Sequence, residues 1–351
     1  MKILIFYTQA GGGHKNAAFL LASFLNQHEV KIVDLGNDNP ITNWFYTDGY
    51  VLLTEKLTWL WALLTMFWKT RIGQFISKQV FKSNHRRTIK KEIDSFKPDK
   101  IVSTYFFSSS ISNQYNPSIP AYYLVSEIFG APVIWFDSNK VKYIVASQTI
   151  YQQGLDQGIF ANNLIPFTEF FKPANSNLTF EIPNSNYDKK ILIVGGGSSL
   201  PKGVELTKKL LNSQLNYQFY IVTGSNYRLK NRLKQLTSKD PRFIILGFVD
   251  YLPSLIKQVD VIISKAGPAI ITEVLSAKKP IILYHYYWEQ EKPNVEFIVN
   301  NNFGIYTPDL TKLVNGLPTI LMSTKWQQCI TNAKEHKFEN SIKKIAQYIV
   351  E

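Results

Sequence analysis

Twice in this chain a short run of β-branched and apolar residues leads into a cluster of glycines. Lys2-Ile3-Leu4-Ile5-Phe6-Tyr7 leads to Gly11-Gly12-Gly13-His14, and Lys190-Ile191-Leu192-Ile193-Val194 leads to Gly195-Gly196-Gly197-Ser198. Continuous apolar runs of this length suit strands buried on both faces of a parallel sheet. After each cluster comes a segment with helical spacing of its apolar residues, over 16–26 and about 202–211, and then another strand-like run, over 30–33 and 219–223. Each half therefore opens as a βαβ unit. Strand-like runs over 99–104, 121–125 and 142–146 extend the first half, and those over 243–246, 259–263 and 280–283 extend the second. The pattern predicts an α/β protein with two Rossmann-like, doubly wound halves in series. Residues 108–110 read as loop and 133–136 as a short strand. The Pro-, Asn- and Ser-rich stretch over 172–189 divides a first domain, 1–171, from a second, 190–339, and a final helix covers 340–351.

Two common phosphate-binding plans do not fit. Reading G-x-G-x-x-G/A from Gly11 puts Asn16 at the third small position, which speaks against a nicotinamide site even though Asp34 has suitable spacing. No G-x-x-x-x-G-K-[ST] occurs, and no D-x-D, the carboxylate pair that usually holds a diphosphate through a divalent metal.

The 351 residues carry a formal net charge of +13, which calls for an acidic partner. Cys329 is the only cysteine, so disulfides within the chain and thiolate metal clusters are excluded and a reducing compartment is expected. No signal peptide is evident at the start. Trp44, Phe45, Tyr46, Tyr50, Trp59, Trp61, Phe67 and Trp68 crowd one segment, and no acid occurs between Lys56 and Lys91. Aromatics flanked by Lys69, Arg71 and later cations suit a segment dipping into an anionic membrane interface. A core helix followed by a solvated basic face has the same composition. The uncharged run over 57–68 has 12 residues, too few to span a bilayer. No nucleic-acid motif is present, so nucleic acid is not an expected partner.

The richest chemistry lies between Ile262 and Gly304. A strand there ends in Ser264-Lys265-Ala266-Gly267-Pro268, where glycine permits close backbone approach and proline suits the first turn of a helix. Such a helix start favours a phosphate. Glu273, one turn on, could accept from two ribose hydroxyls, and Glu289, Gln290, Glu291 and Asn294 are polar groups that suit a sugar.

The order G-F-V-D (247–250), S-K-A-G-P (264–268), T-E (272–273), E-Q-E-K-P-N (289–294) and N-N-F-G (301–304) resembles the donor half of glycosyltransferase family 28. Together with A-G-G-G-H-K-N-A-A (10–18), it is most like the branch of monogalactosyldiacylglycerol synthases and processive diacylglycerol glucosyltransferases. Departures occur at Ala266-Gly267-Pro268 and at Glu289, in Tyr105 where a histidine is common, and in Val125-Ser126-Glu127 where V-T-D is usual.

The resemblance implies a GT-B fold, two domains facing a cleft, and a UDP-sugar donor, UDP-glucose or UDP-galactose. It implies a diacylglycerol-like acceptor and a peripheral or monotopic place on the cytoplasmic face of a membrane; a polyprenyl-linked acceptor is the alternative. Gly13, Gly195, Gly196, Gly197, Ser198 and the helix start at Lys265, Gly267, Pro268 and Ala269 would hold the diphosphate. Phe248 and Val249 would read uracil, Glu273 the ribose, and Gln290, Glu291 and Asn294 the hexose. His14 would act as general base for an inverting transfer, or merely orient the diphosphate, with Glu127 positioning the base or acceptor. Trp59, Trp61, Phe67, Trp68, Lys69 and Arg71 would touch the membrane. No metal or other cofactor is expected, backbone amides taking the metal's place.

Overall fold

The computed structural model describes residues 1–9, 13–38, 40–44, 46, 49, 52–53, 57–167, 180–195, 200–336 and 341–351, with the side chains of 38, 58 and 288–290 outside the description. The chain forms two compact units, Met1–Phe171 with Glu339–Glu351, and Lys172–Phe338.

In the first unit the elements are β1 Lys2–Tyr7, α1 Gly13–Ser23, β2 Glu29–Asp34, α2 Pro40–Trp44, α3 Thr58–Trp68, α4 Arg71–Phe96, β3 Lys100–Ser103, α5 Ser108–Tyr115, β4 Ala121–Leu124, β5 Lys142–Val145, α6 Gln148–Asp156 and β6 Leu164–Pro166. The second contains β7 Lys189–Val194, α7 Gly203–Leu211, β8 Tyr217–Val222, α8 Tyr227–Leu236, β9 Phe243–Leu246, α9 Leu252–Gln258, β10 Val261–Lys265, α10 Pro268–Ser276, β11 Ile281–His285, α11 Trp288–Asn300, β12 Gly304–Tyr306, α12 Leu310–Met322 and α13 Thr324–Glu335. The last helix, α14 Ile342–Val350, belongs to the first unit.

Each unit holds one six-stranded sheet, β2-β1-β3-β4-β5-β6 and β12-β11-β10-β7-β8-β9. All ten strand pairings described are parallel. The doubly wound order anticipated from the two βαβ openings is present in both. In such sheets the winding reverses once, and ligands bind beyond the carboxyl ends of the strands at that reversal. The reversal falls between β1 and β3 in the first sheet and between β7 and β10 in the second.

Two local expectations are corrected. Residues 108–110 are not loop but the first turn of α5. Serine is a poor helix former because its hydroxyl competes for backbone groups, yet here those hydroxyls are buried and satisfied, Ser109 donating to the Tyr122 carbonyl and Ser110 to the Asp137 carboxylate. Residues 133–136 give no strand: Val133–Trp135 is a single 3-10 turn after Pro132.

The long helix α4 changes character along its length. Its later part buries Phe81, His85, Ile89 and Ile93. Its earlier part is joined to α3 by a tight corner, where Thr70 caps α4 by accepting from Gly73 N at 2.9 Å and donates to Phe67 O at 2.8 Å. A Cβ on Gly73 would lie 2.0 Å from that same carbonyl, so only glycine permits this crossing. Farther along, Lys78 pairs with Asp137 at 2.7 Å, and the Asp137 carboxylate also accepts from Tyr143 and Ser110.

Candidate active site

In the first unit, the residues singled out from sequence meet at the reversal point. α1 starts beyond the carboxyl end of β1 and carries His14 as its second residue. Thr104, just past β3, donates from Oγ1 to the His14 carbonyl at 2.9 Å and so ties the two sides of the reversal together. Ser126 and Glu127 follow β4. Ser126 Oγ lies 2.9 Å from His14 Nδ1 and 3.2 Å from Glu127 Oε2. The Tyr105 ring meets the imidazole edge-on at 5.1 Å, and Trp135 lies 5.4 Å away.

His14, Ser126 and Glu127 are all buried. Burial disfavours the charged form of each ionisable group, with opposite effects on acid and base. Burial lowers the His14 imidazole to about 4, opposed by its hydrogen bond to the Thr104 backbone. The Glu127 carboxyl is raised to about 7, opposed by its own backbone N–H and by Ser126. Near neutrality the imidazole is therefore uncharged, with one ring nitrogen able to accept a proton. Gly13 opens the helix with nothing within 4 Å of where a Cβ would stand.

The second site lies wholly in the other unit. Gly195 follows β7, Phe248 and Val249 follow β9, and Lys265 closes β10. Gly196, Gly197 and Ser198 lie outside the described residues, as does the Gln290 side chain. Gly267 is the N-cap of α10 and Pro268 its first residue, with no side chain capping the helix. The amides of this helix start thus remain available to an anion. Phe248 is 71% exposed at its loop tip.

Glu273 lies in α10, partly buried, with Oε2 fully enclosed and without a hydrogen-bond partner in the protein. Loss of water raises its carboxyl to about 7. An enclosed, unsatisfied carboxylate oxygen is costly, and hydroxyl donors from a ligand would remove that cost.

Glu291 and Asn294 are engaged within the protein. Glu291 pairs with Lys265 through Oε1 and accepts from Tyr287 N at 2.9 Å through Oε2. Asn294 donates to the Ala266 carbonyl at 2.8 Å. Both brace the turn between β10 and α10, a role that residue type alone did not indicate. His285, passed over in the sequence, ends β11, and its carbonyl accepts from Ala266 N at 2.8 Å. Burial first, then neighbouring Lys202, lowers its imidazole to about 4.

Of the aromatics assigned to a membrane, Trp59 is 62% exposed and Phe67 is exposed too, whereas Trp61 is buried edge-on against half-buried Trp68. The exposed face continues through Leu63 and Met66 on α3 and through Ile72, Phe75, Ile76 and Val80 on α4. The three- and four-residue spacings along each helix form an apolar stripe. Lys69 and Arg71 are exposed at the corner between the helices. No helix among the described residues is long and apolar enough to cross a membrane.

Comparison with known proteins agrees with this fold. Residues 190–348 match the model of the glycosyltransferase family 28 C-terminal domain. A processive diacylglycerol beta-glucosyltransferase of Bacillus cereus is 24% identical over 325 residues, which cover 88% of this chain and 82% of that protein. Monogalactosyldiacylglycerol synthase 1 of Arabidopsis thaliana is 24% identical over 348 residues, covering 89% and 64%. Among solved structures, MurG of Acinetobacter baumannii aligns with a TM-score of 0.62 at 15% identity over 99% of both chains. The spinosyn rhamnosyltransferase SpnG complexed with thymidine diphosphate aligns at 0.66 and 12% identity over the whole of both. The two parallel sheets share the GT-B fold of these solved structures, and over residues 190–348 the chain is similar to the C-terminal domain of glycosyltransferase family 28.

Proposed function

We propose that the protein transfers a hexose from UDP-glucose or UDP-galactose to the hydroxyl of a diacylglycerol-like lipid, working as a peripheral enzyme on the cytoplasmic face of a membrane. The observation that carries this reading is the uncharged, buried His14, hydrogen-bonded at the reversal point of the first sheet. Such a group can take a proton from an acceptor hydroxyl. The hydroxyl oxygen then attacks the anomeric carbon as the C–O bond to UDP breaks, inverting that centre. The start of α10 and the backbone near Gly195 neutralise the departing diphosphate, while Phe248 and Val249 contact uracil. The lipid acceptor is supported by the relatives named for diacylglycerol products and by the apolar stripe of α3 and α4.

The test is incubation with radiolabelled UDP-glucose and UDP-galactose and vesicles containing diacylglycerol, followed by lipid extraction. Label is expected in a glycosylated diacylglycerol. Label only in an added polyprenyl-linked acceptor, or in no lipid, overturns the assignment. The backbone-amide reading of the diphosphate site also predicts an unchanged rate in excess EDTA, and a strict requirement for manganese counts against it.

Glu273 gives a pH signature. Ribose hydroxyls donate to the carboxylate, so binding favours the ionised form. Because the free carboxyl titrates at about 7, UDP affinity is expected to be highest above that pH and to decline toward tenfold per unit below it. Glu273→Gln should weaken UDP about 10- to 100-fold, as lost bonds to a charged group do, and should flatten this dependence. Calorimetric titration of UDP between about pH 5.5 and 8.5 checks both.

A further inference from the structure

The Ser126 hydroxyl has one proton and two partners. Its Oγ stands 2.9 Å from His14 Nδ1 and 3.2 Å from Glu127 Oε2, with all three residues buried. Whichever way the proton points, it fixes what the other partner must do. An ionised carboxylate can only accept, so it draws the Ser126 proton toward itself. Oγ must then accept from His14 Nδ1–H, which leaves Nε2 with its lone pair.

We propose that His14, Ser126 and Glu127 form a proton relay in which Ser126 positions the His14 tautomer and Glu127 is the final resting place of the acceptor's proton. The inference rests on the reading of His14 as general base. As the acceptor O–H bond breaks, an Nε2–H bond forms. The Nδ1 proton moves to Ser126 Oγ, and the proton already on Ser126 moves to Glu127 Oε2. The acceptor oxygen's electron pair makes the bond to the anomeric carbon, and the pair of the broken C–O bond leaves with UDP. Afterwards the imidazole is neutral again, with its proton on Nε2. Glu127 must lose its proton before another turnover.

The electrostatics favour this division of labour. Burial makes an imidazolium costly at His14, whereas Glu127, raised to about 7, holds a proton readily near neutrality. Titratable groups facing the relay from other elements are Tyr105 after β3 and Tyr123 on β4, with Tyr143 on β5 and Asp137 beyond Tyr123. Burial holds Tyr123 and Tyr143 well above their usual range, so both stay neutral. Asp137 is occupied by Lys78 and by the Tyr143 hydroxyl.

The proposal predicts an acid limb in the kcat/KM profile that belongs to Glu127, near pH 7, although the base is His14. Ser126→Ala should lower the rate at high pH about 10- to 100-fold and separate the two groups, moving the acid limb far below this point. Ser126→Thr, which keeps the hydroxyl, should restore most of the rate and the original limb. Independently of activity, nitrogen-15 spectra of the His14 side chain in the intact protein should show Nδ1–H well above pH 7 and Nε2–H well below it, and Ser126→Ala should abolish the switch. An acid limb unmoved by Ser126→Ala, or a wild-type tautomer constant across this range, overturns the relay. A tautomer that switches while His14→Ala retains turnover overturns the base reading but leaves the hydrogen-bond coupling intact.

Discussion

Replacing His14 with alanine is expected to lower kcat by about 10²- to 10⁴-fold, the usual contribution of a positioned general base. KM for the sugar nucleotide should stay near wild type, because all the residues proposed to bind the donor except Gly13 belong to the second unit. The fold should survive: Thr104 bonds to the His14 backbone carbonyl, which alanine keeps, and Ser126 retains Glu127 as a partner. The comparison is steady-state turnover beside thermal unfolding of both proteins. A folded variant with near wild-type turnover would remove His14 from the mechanism.

The second large effect concerns the stripe on α3 and α4. Substituting Trp59, Phe75 and Ile76 together with serine should weaken binding to anionic vesicles by at least about 100-fold, since burying each large apolar side chain is worth roughly 1.5–3 kcal/mol. Lys69 and Arg71 add attraction of about 1 kcal/mol each near an anionic surface. That electrostatic part should shrink with salt while the apolar part persists. Vesicle flotation at low and moderate salt separates the two, and binding of the triple variant equal to wild type rules out this surface as the membrane contact. Turnover on a water-soluble, short-chain acceptor should be unaffected.

Much of the architecture was legible because parallel strands buried on both faces announce themselves as apolar runs. Lys2–Tyr7 was readable in that way, and the helix start at Pro268 from its glycine and proline. The serine-rich opening of α5 was not, because its stability comes from hydroxyls finding distant carbonyls such as that of Tyr122. The stripe was half legible. The aromatics of α3 stand out in composition, but Ile72, Phe75, Ile76 and Val80 are interleaved with polar residues and become a face only when wound into a helix. At the site, His14 and Glu127 were visible as residue types, whereas Ser126 becomes informative only at 2.9 Å from the imidazole. The pairing of Lys265 with Glu291, 26 positions apart, likewise needs the β10–α11 juxtaposition. The isolation of Glu273 Oε2 is a property of what surrounds it, which no spacing rule encodes.

The return of α14 to the first unit bears on how this protein is made. Ile342, Ile345, Ala346 and Ile349 form its buried face, Tyr348 meets the rings of Tyr122 and Phe167, and the helix packs against α1. The helix that carries His14 therefore leans on residues that follow the whole of the second unit in sequence. During translation the second unit can fold from contiguous sequence, but the first is complete only once α14 has emerged. A nascent chain or proteolytic fragment ending before Ile342 would keep the second unit and lack the support beneath α1.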